Sequence, residues 1–160
     1  MVTCGKKWGK SRKAGEKKDL NHMFVGEYRH NLDSKGRLAI PFRMRTELST
    51  GAVVTRGVDS CLTIYTKEEW EKLASKIAAL PMSDPKARRF SRFFLAGAAE
   101  VEFDKQGRIL VPAYLREYAG IGAAVVVAGV YSRIELWSED KWDAQSKDVS
   151  PADDLGGLEI

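Results

Sequence analysis

One stretch of the chain is written twice, and that repetition limits the possible folds more than any other feature. Leu32 to Arg45 reads Leu-Asp-Ser-Lys-Gly-Arg-Leu-Ala-Ile-Pro-Phe-Arg-Met-Arg; seventy-one positions on, Phe103 to Arg116 reads Phe-Asp-Lys-Gln-Gly-Arg-Ile-Leu-Val-Pro-Ala-Tyr-Leu-Arg. Asp33/Asp104, Gly36/Gly107, Arg37/Arg108, Pro41/Pro112 and Arg45/Arg116 are identical, and the positions between glycine and proline are apolar in both. A spaced self-match of this kind marks an internal duplication, so the chain should consist of two copies of one supersecondary unit.

Each copy has a physical reading of its own. Aspartate at the first position of a type I turn accepts hydrogen bonds from backbone groups just ahead of it. Glycine three residues later supplies the positive φ that closes a bulged hairpin. Asp33 to Gly36 and Asp104 to Gly107 are therefore expected at hairpin tips, flanked by strands at Leu38 to Ile40 and Ile109 to Val111. Pro41 and Pro112 end those strands and suit the start of short helices, closing near Thr50 or Gly51 and near Gly120. Arg37 and Arg108 each follow a turn glycine directly, with Lys35 or Lys105 nearby.

The match continues with a one-residue slip. Cys61 to Tyr65 answers Arg133 to Trp137, and Trp70 answers Trp142. Both segments alternate with period two and read as strands, paired with short runs at Ala52 to Thr55 and Ala123 to Ala128. Thr66 with Glu69 forms a capping box, and Ser138 is a second candidate N-cap.

Met-Phe-x-Gly, then Leu-Asp-x-Lys-Gly-Arg-x-x-Ile-Pro-x-x-x-Arg, then a second Asp-x-x-Gly-Arg-x-x-x-Pro, together resemble the MraZ family, which is built of two SpoVT-AbrB-type domains. The resemblance covers about Met23 to Trp142. It implies an α+β, β-rich fold: tandem swapped-hairpin β-barrel halves with short helices, plus two helices between the repeats. In domain terms it suggests a basic leader at 1–22, a first domain at 27–69, connecting helices at 70–97, a second domain at 98–141 and an acidic tail at 143–160 whose Asp, Ser, Gly and Pro content reads as disordered. It also implies a cytoplasmic, nucleoid-associated repressor of the division and cell-wall gene cluster. Such a protein binds double-stranded DNA at short promoter repeats and assembles into a ring. By this reading Lys35, Arg37, Lys105 and Arg108 reach phosphates or base edges, while Asp33, Gly36, Asp104 and Gly107 shape the turns.

The net charge of +4 looks like a nucleic-acid signal, but its location matters more. Residues 1–22 carry seven Lys or Arg against Glu16 and Asp19, leaving 19 basic and 20 acidic residues in the remainder. A DNA surface on the folded part must therefore be local. The first copy is the more basic and the better candidate for phosphate contact. The leader has no apolar run of signal-peptide length and is expected to be disordered. It reads either as an extension upstream of the family's usual start or as a basic arm adding non-specific DNA affinity. The longest membrane-span candidate, Ala119 to Val130, is short and broken by Gly120, Gly122 and Gly129.

Catalysis fails on inventory. His22 and His30 are the only histidines, Cys4 and Cys61 have no framework spacing, and no set of ligands has metal-binding spacing, so no cofactor or metal is expected. Cys61 reads as a small buried hydrophobe. Between the copies, Lys67 to Leu80 places Trp70, Leu73, Ile77 and Leu80 on one helical face; Asp84-Pro85 then opens a second helix carrying Phe90, Phe93 and Phe94. Those helices are expected to pack the repeats together or against a neighbouring subunit, with Trp70 and the three phenylalanines as aromatic anchors. Arg88, Arg89 and Arg92 read as an ordinary solvated helix face. The rival to DNA binding is an oligomeric β-barrel scaffold in which Arg37 and Arg108 merely tie strands together through Asp33 and Asp104.

Overall fold

The apolar alternation on both sides of each turn requires a partner strand, and the partner comes from the other copy. The computed structural model describes residues 23–159; the leader discussed above and Ile160 lie outside the described residues. In the first copy the strands are β1 (Phe24–Asn31), β2 (Arg37–Ala39), β3 (Ala52–Arg56) and β4 (Leu62–Thr66). The second supplies β5 (Ala99–Val101), β6 (Arg108–Leu110), β7 (Ala124–Tyr131) and β8 (Arg133–Ser138). Six of them form an antiparallel sheet in the order β1-β7-β8-β4-β3-β5, and β2 pairs with β6 as a separate ribbon. Exchanging each strand for its repeat counterpart reverses this order without changing it, so a pseudo-twofold axis runs between β4 and β8 and through the ribbon. The hairpins are thus swapped. Asp33 and Asp104 do sit at turns, yet the strands leaving each turn separate: β1 pairs with β7, and β5 with β3. The segments 27–69 and 98–141 interlock in one body.

The enclosed core draws equally on both copies. Leu38, Ile40, Leu48, Leu62 and Ile64 meet Ile109, Val111, Leu115, Ile134 and Leu136, all buried. Strand β4 is buried along its whole length because Leu62 and Ile64 face this core while Thr63 and Tyr65 are buried on the other side, where Tyr65 packs with Ile77 and Phe94. Short helices follow the prolines: α1 (Phe42–Glu47) after Pro41 and α4 (Ala113–Ala119) after Pro112, the latter ended by Gly120 at φ 64°.

Between the copies lie α2 (Lys67–Ala78), α3 (Pro85–Ser91) and a π-helical turn at Arg92–Ala96. Thr66 Oγ1 accepts from the Glu69 amide at 3.1 Å, and Asp84 caps α3 with Pro85 in its first turn. Of the two roles expected for the aromatic anchors, packing the repeats together or meeting a neighbouring subunit, the first is the one seen within the chain. Phe94 stacks on Trp70 at 5.4 Å and packs with Tyr65 and Ile77, and Phe93 meets Tyr118 edge to face. The reason lies in β3, whose Thr55 Oγ1 and Arg56 Nη1 donate to the Phe94 and Phe93 carbonyls at 2.6 and 3.2 Å and anchor the π turn on the sheet. Arg88, Arg89 and Arg92 are exposed.

After β8, α5 (Glu139–Lys147) places Trp142 edge to face against Trp137, repeating the Tyr65 and Trp70 pair. The tail expected to be disordered from 143 continues in α5 to Lys147 and forms a short exposed helix, α6 (Pro151–Leu155). The added order is local: Ser138 caps α5, and Ser150 binds Asp153 and Asp154 at the start of α6. Cys61 is buried, and burial pushes its thiol up to about 12, which suits a packing role. Among the described residues, no helix is long and apolar enough to cross a membrane.

Candidate nucleic-acid interface

The two turns are built by the same hydrogen bonds. Asp33 Oδ1 accepts from the amides of Lys35 and Arg37, both at 2.9 Å, and its carbonyl accepts from Gly36 at 3.0 Å. Asp104 Oδ1 accepts from Gln106 at 2.8 Å and Arg108 at 2.9 Å, and its carbonyl accepts from Gly107 at 3.0 Å. Gly36 and Gly107 have φ of 82° and 74°, which only glycine adopts freely. The second carboxylate oxygens turn outward to the arginines: Arg37 Nε donates to Asp33 Oδ2 at 2.6 Å, and Arg108 Nε to Asp104 Oδ2 at 2.9 Å. Both aspartates are held below the usual carboxylate range. Asp33 is drawn down to about 2, first by the Arg37 amide and then by the Arg37 side chain and the Lys35 amide; for Asp104 the Arg108 amide contributes most.

The ribbon brings the two turns together. In the β2–β6 pairing Arg37 lies opposite Leu110 and Ala39 opposite Arg108, so the turns stand at the two ends of a six-residue ribbon. Leu38 and Ile109 point into the core, leaving Arg37, Ala39, Arg108 and Leu110 on the outward face. Arg108 Nη1 also lies 3.5 Å from Asp33 Oδ2, so one carboxylate oxygen faces the guanidinium groups of both copies. Lys35 and Lys105 are exposed beside their turns but occupy different turn positions: Lys35 corresponds to Gln106, and Lys105 to Ser34.

Two further arginines complete the site. A Cβ on Gly36 would lie 2.8 Å from Arg116 Cζ, and one on Gly107 would collide with the Arg45 guanidinium. Each helix arginine is therefore laid against the turn glycine of the other copy. Arg116 Nε donates to the Val111 carbonyl at 3.1 Å, whereas Arg45 Nε is buried with no hydrogen-bond partner among the described residues, and its guanidinium lies 5.3 Å from the Phe42 ring centre. The identical Arg45/Arg116 match was the available signal. Sequence reasoning did not assign them to the site because nine residues separate each from its own turn, and the turn it meets belongs to the other copy. In all, six basic side chains gather around Asp33 and Asp104, in a described body whose charges as a whole nearly balance. Such a surface can hold polyanions and present guanidinium groups to their edges.

A barrel of two interlocked hairpin copies with a basic ribbon on its pseudo-twofold axis belongs to the swapped-hairpin class that the family resemblance implied. A family model described as "MraZ protein, putative antitoxin-like" matches it twice, over residues 23–93 and 94–154, and the chain belongs to the MraZ family. It is 54% identical over 120 residues to the "Transcriptional regulator MraZ" of Halothermothrix orenii, covering 75% of this chain and 84% of the relative. The protein of that name from Heliobacterium modesticaldum is 49% identical over 130 residues, covering 81% of this chain and 91% of the relative. The one from Acetivibrio thermocellus is 51% identical over 126 residues, covering 79% and 88%. These names are those of a regulator, not of an enzyme.

Proposed function

We propose that this chain is a sequence-specific DNA-binding transcriptional regulator that enters the major groove of double-stranded DNA with its β2–β6 ribbon. The observation that carries this reading is the convergence of Lys35, Arg37 and Arg116 with Lys105, Arg108 and Arg45 at the two ends of one ribbon. A major groove about 12 Å wide admits a two-stranded ribbon, and arginine is the side chain that most often reads base edges there. The lysines, exposed on the turns, reach phosphates. The Asp33 and Asp104 pairs hold each guanidinium in one orientation before binding, which lowers the ordering cost of contact.

In this reading the protein acts as a repressor of the division and cell-wall gene cluster, through repeats in its own promoter and as a closed homo-oligomer, in the cytoplasm at the nucleoid. A described body with nearly balanced charge binds one short site weakly, and joining several ribbons raises affinity through effective concentration by roughly 10² to 10⁴. The rival scaffold reading has one observation in its favour, the Asp33 carboxylate shared between Arg37 and Arg108. Footprinting on the DNA upstream of its own gene, repeated as a salt titration, separates the two. The regulator protects discrete repeats, with log K falling linearly against log salt, whereas the scaffold retains no specific DNA.

A further inference from the structure

We propose that Leu110 reads the 5-methyl group of a thymine beside the position contacted by Arg37, and so gives the ribbon a direction on the DNA. This rests on the reading of the ribbon as the DNA-facing surface. An exposed leucine alone is unremarkable on a protein surface. Leu110, however, is 56% exposed on the outward face of the central ribbon, directly opposite Arg37, while its neighbour Ile109 is buried. The outward face has two kinds of position: one is arginine in both copies, at 37 and 108, and the other is Ala39 in the first copy and Leu110 in the second. The copies thus differ at the one outward ribbon position that is not charged.

The chemistry of the groove selects the ligand. Major-groove base edges present donors and acceptors, and the apolar group among them is the thymine methyl. A leucine brought into that groove next to a guanidinium either loses hydration against polar edges or packs on a methyl group, and only the second outcome favours binding. Ala39, with a side chain of one carbon, cannot reach as far at the other end. The Arg37–Leu110 end therefore discriminates at a position where the Arg108–Ala39 end does not, and a pseudo-symmetric chain seats on its site in one orientation.

The test uses the full chain and the promoter fragment it protects, with each thymine replaced singly by deoxyuridine, which removes only the methyl group. The wild-type protein should lose about fourfold in affinity at one position, the effect of burying one methyl-sized apolar group. Leu110→Ala should bind the unmodified fragment more weakly by a similar factor and no longer distinguish thymine from uracil there, whereas Leu110→Met should retain the distinction. Circular dichroism and the mass by light scattering should be the same for all three proteins. A wild type that protects its repeats yet is indifferent to every uracil overturns the leucine assignment alone, as does a Leu110→Ala protein that still discriminates. A change in assembly mass with Leu110→Ala would instead place this residue at a contact between copies. Absence of any salt-dependent preference over random DNA would remove the DNA reading itself.

Discussion

The turn at Asp33–Gly36 and the turn at Asp104–Gly107 agree to within 0.3 Å in every matching hydrogen bond. The cover on the outer face of the sheet does not agree. Over Tyr65 the chain lays α2, α3 and the π turn, with Trp70, Ile77, Phe93 and Phe94; over Trp137 it lays Trp142 of α5 beside Cys61 and Val126. The two regions obey different physics. A turn at positive φ closed by an aspartate admits one glycine position and one carboxylate position, because backbone hydrogen bonds are directional. An apolar cover has to exclude water at roughly the right volume, which many side-chain sets achieve. Between these extremes stand the exposed turn residues, where Lys35 faces Gln106 across the pseudo-symmetry and the electrostatics of the two copies separate without disturbing the backbone.

The comparison is broken most severely in the cover. Phe94→Ala, at a side chain only 4% exposed and stacked on both Trp70 and Phe90, should cost about 3 to 5 kcal/mol in denaturant unfolding. Operator preference should persist wherever the variant remains folded. A loss below about 1 kcal/mol would mean that the first copy's helices are no more tightly held than α5.

The difference between the turns is sharpened by Arg37→Ala and Arg108→Ala. Each should weaken specific DNA binding, by about 1 to 3 kcal/mol where a bidentate base contact is lost, and should lower the salt slope by about one where a phosphate contact is lost. Arg37→Ala should have the larger effect, because Lys35 stands beside it and its side chain is more exposed, at 34% against 24% for Arg108. Equal losses would show that the copies contribute alike, and no loss from either would exclude both from the contact.

Acid titration probes the feature that the copies share. The folded-state value of Asp33, about 2, lies below its ordinary 3.8, so the ionised carboxylate stabilises the fold. That contribution is complete above about pH 4 and is lost as pH falls through about 2. Asp33→Asn should therefore flatten the decline in unfolding midpoint over that window. Its effect should exceed that of Asp104→Asn, since Asp33 faces two arginines and Asp104 one. An unchanged acid profile would show that the carboxylate is not the group responsible.

The smallest effect is expected from removing residues 1–22, which carry a net +5. Affinity for random DNA should fall through lost counterion release, while the ratio between the Arg37→Ala and Arg108→Ala effects stays the same. A truncated protein that loses operator preference would place part of the specific site in that segment.

Much of the candidate site could be read before any coordinates. Asp33, Gly36 and Arg37 lie within five residues, as do Asp104, Gly107 and Arg108, and their contacts are made to neighbours along the chain. The same holds for the caps at Thr66, Asp84 and Ser138, each of which binds an amide two or three residues ahead. Periodicity also located the principal strands around both turns. The aromatic residues between the copies were correctly placed on helices, but the choice between packing the repeats together and meeting a neighbouring subunit stayed open, because spacing shows that a face is apolar and not what lies against it.

By itself, then, the amino-acid order determined the duplication, the two turns, the strand and helix sequence and the Asp–Arg pairs, all of which depend on separations of a few residues. Tertiary structure alone decided that β1 joins β7 and β5 joins β3, that β2 and β6 form their own ribbon, and that Arg45 and Arg116 each lie on the other copy's glycine. Two copies with the same pattern of apolar strands around the same turn offer similar edges, so local sequence cannot distinguish pairing within a copy from pairing across. The choice rests on closing one common core from both halves, and that core exists only when the whole chain has come together.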